Sequence, residues 1–153
     1  MFFGRSSIKV IKVLGEGLNA SVYKVKKWHP DLKTHHTFAL KVLKRSQDLK
    51  LFRLEFENLL KANGPHLVRY RGWERYKSKP ALLLELIDGV TVYELTKAYP
   101  LSKPEWLWIE QEAKKGLQEL QSSNLVHGDL STKNIMISKS GNIKLIDLSL
   151  IHI

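Results

Sequence analysis

The sequence contains no cysteine. That excludes a disulfide scaffold, a thiolate zinc site and a thiol nucleophile, and it leaves the redox compartment open. Long hydrophobic runs are also missing. The longest, residues 81–87, carries Glu85 and is too short to span a membrane. The opening Met1-Phe2-Phe3-Gly4-Arg5 has no apolar core behind a basic stretch, so no secretory signal is expected. There is no internal repeat and no low-complexity segment. Acidic residues are few beside basic ones, 15 against 25, for a net charge of +10. Such a surplus suits nucleotide phosphates, nucleic acid, anionic lipid or an acidic protein face, and equally a merely soluble basic surface.

What is present is an ordinary globular composition, 43% hydrophobic and 26% charged over 153 residues. The length allows one packed domain or two very small lobes. Residues 8–14 are β-rich, Gly15-Glu16-Gly17 interrupts them, and 21–28 resume the pattern, which predicts a hairpin. A third strand is predicted over 37–43, after a polar connection. Leu49, Phe52, Phe56, Leu59 and Leu60 recur at helical spacing and predict a helix over 46–62, stopped by Asn63-Gly64-Pro65. Two further strands, 68–73 and 81–86, flank a basic turn at 77–79. Asp88-Gly89 is the one candidate internal boundary, and the pattern after it turns helical. Ser102-Lys103-Pro104-Glu105 matches a capping box opening a helix to about Gln121. A second hairpin is predicted over 135–146 with its turn at 139–142. A symmetric turn there sets Asn134 opposite Asp147.

The chemistry concentrates in His127-Gly128-Asp129-Leu130-Ser131-Thr132-Lys133-Asn134, followed after the hairpin by Asp147. The amide and the second carboxylate offer oxygen ligands to a hard cation such as Mg2+. Asp129 is then free to orient a hydroxyl or take its proton. A polar-ended hairpin also arises by chance. Gly15 and Gly17 lie between two strands, where backbone amides can approach phosphates, although a short Gly-rich hairpin is usually only a turn. Ala39 and Lys41 share one face of the third strand, and Lys41 is either solvated or a phosphate ligand. Glu55 falls inside the apolar stripe of the predicted helix, whereas Glu57 falls on the solvent side. A carboxylate in that stripe needs a cation, and Lys41 is the candidate.

Gly-rich hairpin, strand lysine, helix glutamate, His-x-Asp-x-x-x-x-Asn and a later Asp stand in the order of the protein-kinase fold, which residues 8–149 resemble. The resemblance implies an α+β, bilobal, protein-kinase-like fold. Residues 1–87 would form an N-lobe with a five-stranded antiparallel sheet and one helix, and 88–153 a reduced C-lobe. The implied cofactors are ATP and Mg2+, with Mn2+ as an alternative ion. Gly15 and Gly17 would cover the phosphates. Val22 and Ala39 would pack above the adenine and Met136 below it. Lys41, held by Glu55, would contact the α- and β-phosphates. The hinge would run from Glu85 to Ile87, with Leu84 guarding the back pocket. Asp129 would be the catalytic base or substrate-orienting group, and Asn134 and Asp147 would hold the metal. His127 would pack under the loop.

The pattern departs from the family at several positions. Ala20 replaces the third glycine, Gly128 the arginine that receives an activation-loop phosphate, and Ser131 a lysine, with Lys133 two positions later. Asp147-Leu148-Ser149 stands for Asp-Phe-Gly. His-Gly-Asp-Leu-Ser and Ile-Asp-Leu-Ser are similar to RIO kinases, the small KEOPS-complex kinase and antibiotic or sugar phosphotransferases. The hairpin and Ala39-Leu40-Lys41 are more similar to eukaryotic-type protein kinases. Four residues follow Ser149, so the expectation is a lobe without activation segment or substrate-binding helices. The expected location is cytoplasmic, or a host cytosol, since very short kinases occur among secreted effectors.

The expected activity is transfer of the ATP γ-phosphate to a protein Ser/Thr hydroxyl. The alternatives are a small-molecule or lipid-sugar acceptor, or a non-catalytic nucleotide-binding module or ATPase acting through a partner. Expected partners are a protein substrate or activator, acidic by charge, and a second copy docking on the truncated face. Nucleic acid also fits the charge, but no recognition motif accompanies it. His29, His35 and His36 cluster without an acidic or thiolate partner for a metal. Trp106 and Trp108 either pack on the lobe or form an exposed patch.

Overall fold

The computed structural model describes residues 8–17, 20–44, 49–146 and 150–152, without the side chains of 49–52, 55 and 150–152. Its class is α+β. Period-two patterning builds five antiparallel strands: β1 (Ile8–Glu16), β2 (Ala20–His29), β3 (Thr34–Leu43), β4 (Tyr70–Tyr76) and β5 (Lys79–Glu85). They pair in the order β1-β2-β3-β5-β4. One face buries Val25, Leu40, Val42, Ala81 and Leu83, with Ile8, Val10, Tyr23, Phe38 and Tyr76 packed against them. Each buried valine and leucine among them contributes about 1.5–3 kcal/mol. The other face is ordered in cross-strand rows. Gly15, Val22, Lys41 and Leu82 stand opposite one another. The next row is Lys12, Lys24, Ala39 and Leu84, and the third is Lys9, Lys26 and Thr37. The β4–β5 turn puts Lys77 and Ser78 at φ +47° and +64°, the type I′ geometry whose twist matches the strands.

The chain forms two compact units. The first comprises the residues through Arg53 together with Tyr70–Leu86, and the second comprises Leu54–Arg69 and Ile87 onward. The segment Leu54–Arg69 therefore joins the second unit, although a single cut between residues 87 and 88 leaves it with the first. Helix α1 (Leu49–Lys61) runs from one into the other. On it Glu57 is exposed, as its helical angle predicts, and Asn58 and Leu59 are buried. Leu60, expected on the apolar stripe, is 58% exposed, because one residue rotates the helix by about 100° away from Leu59.

In the second unit a short strand, β6 (Gly89–Thr91), precedes α2 (Val92–Ala98), where sequence patterning gave helix alone. The strand forms because Gly89 lets two backbones meet. A Cβ at Gly89 would lie 2.0 Å from the carbonyl oxygen of Ile137. Thr91 then caps α2 by accepting from the Glu94 N–H at 3.0 Å. Helix α3 (Lys103–Gln121) begins in the expected capping box. Ser102 N–H donates to Glu105 Oε1, and Glu105 N–H donates to Ser102 Oγ. Ile109, Ala113, Gly116 and Leu120 form its buried stripe, while Trp106, Leu107 and Trp108 are exposed. Beyond α3 come β7 (Leu125–His127), β8 (Ile135–Ser138), β9 (Ile143–Leu145) and β10 (Leu150–His152), paired as β6-β8-β9 and β7-β10. No helix of the described residues is long and apolar enough to cross a membrane.

The β8–β9 hairpin differs from the expected register by one residue. Its loop is three residues, 139–141, closed by Ser138 N–H to Asn142 O at 2.8 Å and Gly141 N–H to Ser138 O at 2.9 Å. Gly141 takes φ +83°, the left-handed position that such a loop reserves for glycine. Ile135 therefore faces Leu145, and Asn134 faces Ile146, not Asp147.

Candidate active site

Strand β7 delivers His127 to the start of the candidate loop. The Asp129 N–H donates to His127 Nδ1 at 3.0 Å. In a neutral ring the proton is then on Nε2, which faces the Ile146 carbonyl at 3.4 Å. The Ile146 N–H in turn donates to Asn134 O at 2.9 Å. Ser131 caps the 3-10 turn Thr132–Asn134 by accepting from the Lys133 N–H, which gives that serine a local structural role. Asn134 is buried, and its Nδ2 donates to Asp129 O at 2.7 Å. The loop is thus braced from both sides, while the Asp129 residue itself stays exposed. His127 acts as the expected structural post beneath it.

Asn134 offers one donor of the kind a divalent cation takes. The Asn134 nitrogen is committed to the Asp129 carbonyl, so Oδ1 is the atom that the side chain has to offer, and an amide oxygen is a hard ligand. Asp147, the second expected ligand, lies outside the described residues, but the residue before it is held through both its N–H and its C=O. Met136, half-buried on β8, stands between Thr91 and Lys144. Ile87 is half-buried where the chain re-enters this unit.

The first unit aligns its own candidates. Gly15, Val22 and Lys41 fall in one row across β1, β2 and β3, with Ala39 in the neighbouring row of the same face. Gly17 N–H donates to Ala20 O at 2.9 Å and closes the hairpin. A Cβ at Gly15 would meet nothing within 4 Å, so the backbone there is open to a phosphate. Glu16 pairs with Lys44 at 2.8 Å, and hydrogen bonds from Lys44 and Ser21 hold its carboxyl below the usual range. Glu85 stands opposite Phe38 at the end of β5. The Glu55 side chain lies outside the described ones, and so therefore does its expected pairing with Lys41.

Two features were not read from sequence. Lys133 lies over the Tyr93 ring at 4.8 Å, beside Lys97 at 4.4 Å. A hydrogen bond from Lys97 leads the effects that lower the Tyr93 pKa. The other feature is a clamp on His66. Its Nδ1 meets Glu119 Oε1 at 3.0 Å, its Nε2 meets Glu112 Oε2 at 2.7 Å, and its backbone N–H also donates to Glu119. Burial pushes the imidazole pKa down, but the two carboxylates outweigh it and the net shift is upward. The Glu112 carboxyl is lowered, first by Lys115 and then by His66. The available signal was the spacing of the two glutamates, seven residues or about two helical turns apart on one face of α3.

The sequence profile of the family described as protein tyrosine and serine/threonine kinase matches residues 8–153. Ribosomal protein S6 kinase 2 alpha of Gallus gallus is 29% identical over 150 residues, covering 95% of this chain and 20% of its own length. Serine/threonine-protein kinase 1 of Arabidopsis thaliana is 33% identical over 139 residues, 88% of this chain and 16% of its own. Myosin-IIIa of Mus musculus is 31% identical over 152 residues, 91% of this chain and 9% of its own. The chain spans about a fifth or less of the length of these curated relatives.

Proposed function

Because the chain belongs to the protein tyrosine and serine/threonine kinase family, we propose that it transfers the γ-phosphate of ATP, with Mg2+, to a serine or threonine hydroxyl of a protein. The observation that carries this reading is the braced loop. His127 and Asn134 fix the backbone of Asp129 and leave its residue exposed. In that position the carboxylate can accept the hydroxyl proton. Asn134 Oδ1 and Asp147 would hold the ion, and Lys41 and the amides of Gly15 and Gly17 would face the nucleotide phosphates. The ion, when bound, supplies charge neutralisation at those phosphates.

Incubation with γ-labelled ATP and a mixed protein acceptor tests the proposal, with acid hydrolysis to identify the labelled residue. Wild type is expected to label serine or threonine. Asp129→Ala is expected to fall by about 100-fold or more, the usual contribution of a general base. Equal incorporation by both proteins removes Asp129 from the mechanism. Failure to bind ATP at all overturns the proposal.

A further inference from the structure

The row-bearing face of the first sheet continues past the Gly15–Val22–Lys41 and Ala39 positions into a block of lysine. Lys12 stands opposite Lys24, and Lys9 opposite Lys26. Lys9, Lys12 and Lys26 are exposed and Lys24 is half-buried. Among the described residues none of the four is in an ion pair, although Lys27 on the other face pairs with Glu74. No acidic residue stands in these rows. Like charges directly opposite on a sheet are destabilising, and here the arrangement occurs twice in succession. Lysines on β1 have an ordinary explanation, since charge on an edge strand blocks unwanted pairing. That explanation does not reach Lys24 and Lys26, which lie on the inner strand β2.

We propose that this face docks an extended acidic segment of a partner protein, with carboxylates at alternate positions. Three observations favour that occupant. Lys24 and Lys26 are two residues apart on one strand, so their side chains repeat at about 6.8 Å, the same interval as alternate side chains of an extended peptide. The block is two strands wide, with opposed Cβ atoms about 5 Å apart, which matches one peptide and not a broad surface. Its far end is bounded by Trp28 and His35, whose rings meet edge to face at 4.9 Å. A single-stranded nucleic acid needs a succession of open rings for its bases. That one mutually engaged pair does not offer such a succession. An anionic membrane needs apolar anchors among the basic groups. The exposed apolar side chains of these strands and their turn, Ile11, Val13, Leu14, Trp28 and Leu32, all stand outside the lysine rows.

The docking stands on the first unit's sheet and requires no nucleotide, so its failure and that of the kinase reading are distinguishable. The test is fluorescence anisotropy on the full chain without ATP. The probes are a labelled alternating Glu-Val octapeptide, a peptide of the same composition with its glutamates in one block, a single-stranded oligothymidine, and phosphatidylserine vesicles. The alternating peptide is expected to bind most tightly and to weaken as salt rises. Lys24→Thr/Lys26→Thr is expected to weaken it by about fivefold or more, from two exposed charge pairs. Lys9→Thr/Lys12→Thr is expected to act in the same direction, and circular dichroism on each variant checks folding. Because relief of repulsion leaves these variants at least as heat-resistant as wild type, a loss of binding reports the face. Equal affinity for the blocked peptide, tighter binding of oligothymidine or vesicles, or unchanged affinity in both double variants overturns the proposal.

Discussion

The His66 clamp makes a quantitative prediction about stability. Replacing Glu119 by alanine removes the acceptor of both the His66 backbone N–H and its Nδ1–H. Hydrogen bonds to a charged group contribute about 1.5–3 kcal/mol each. The His66 and Glu119 side chains are only 20% and 17% exposed, so water replaces the lost partner in part. The expected cost is about 2–4 kcal/mol in all, a fall in Tm of about 5–15 °C for a chain of this size. The pH dependence gives the sharper test. The imidazole pKa is raised in the folded state from an ordinary value of 6.5. Its stabilising contribution is therefore complete below about pH 6.5 and is lost as pH rises through the raised value. Urea melts of wild type and Glu119→Ala at pH 6 and pH 9 should show a wide gap at pH 6 and a narrower one at pH 9. Lys115, paired with Glu112 at 2.8 Å, competes for the second carboxylate and keeps the gap from growing further. A gap equal at both pH values would show that the imidazolium charge plays no part. Superimposable melts at pH 6 would refute the clamp itself.

Gly89→Ala forces a Cβ against the Ile137 carbonyl, a backbone atom that cannot turn aside, and is expected to cost about 3 kcal/mol or more in a urea melt. Lys77→Asn/Ser78→Gly puts residues that favour positive φ into the β4–β5 turn and is expected to gain about 1–2 kcal/mol, read as a higher urea midpoint. Asn134→Ala removes the brace on the Asp129 carbonyl and, on the proposed function, an oxygen ligand, so labelled-phosphate transfer should fall and its Mg2+ requirement should rise. An unchanged Mg2+ titration would detach Asn134 from the ion.

The parts that were legible in the sequence are those set by local rules. Ser102 and Glu105 cap α3 because the spacing puts each side chain beside the other's backbone N–H. Period-two patterning gave the first hairpin and put Ala39 and Lys41 on a common face, as they are on β3. The errors have equally local causes. Sequence spacing predicts a four-residue turn where Gly141 makes a three-residue one, and the difference moves the partner of Asn134 by one position. Strand β6 is only three residues long and exists because Gly89 admits the Ile137 backbone, a long-range approach that periodicity does not report. The His66 clamp joins positions 46 and 53 residues apart, so it was invisible to any window of local pattern.

The clamp and the brace on the Asp129 loop meet at the last residue of β9 and the one after it. Leu145 donates its N–H to His66 O at 2.8 Å and accepts from the Val68 N–H at 2.9 Å. Ile146 donates to Asn134 O and faces His127 Nε2 with its own carbonyl. Four successive backbone groups on two residues are therefore committed, to partners on a connecting loop, a 3-10 turn and strand β7. Each such bond contributes only about 1 kcal/mol, but together they fix the backbone of Leu145 and Ile146. Gly116 tightens this further, since a Cβ there would lie 2.9 Å from Leu145 Cδ1, so helix α3 holds the strand from its side-chain face.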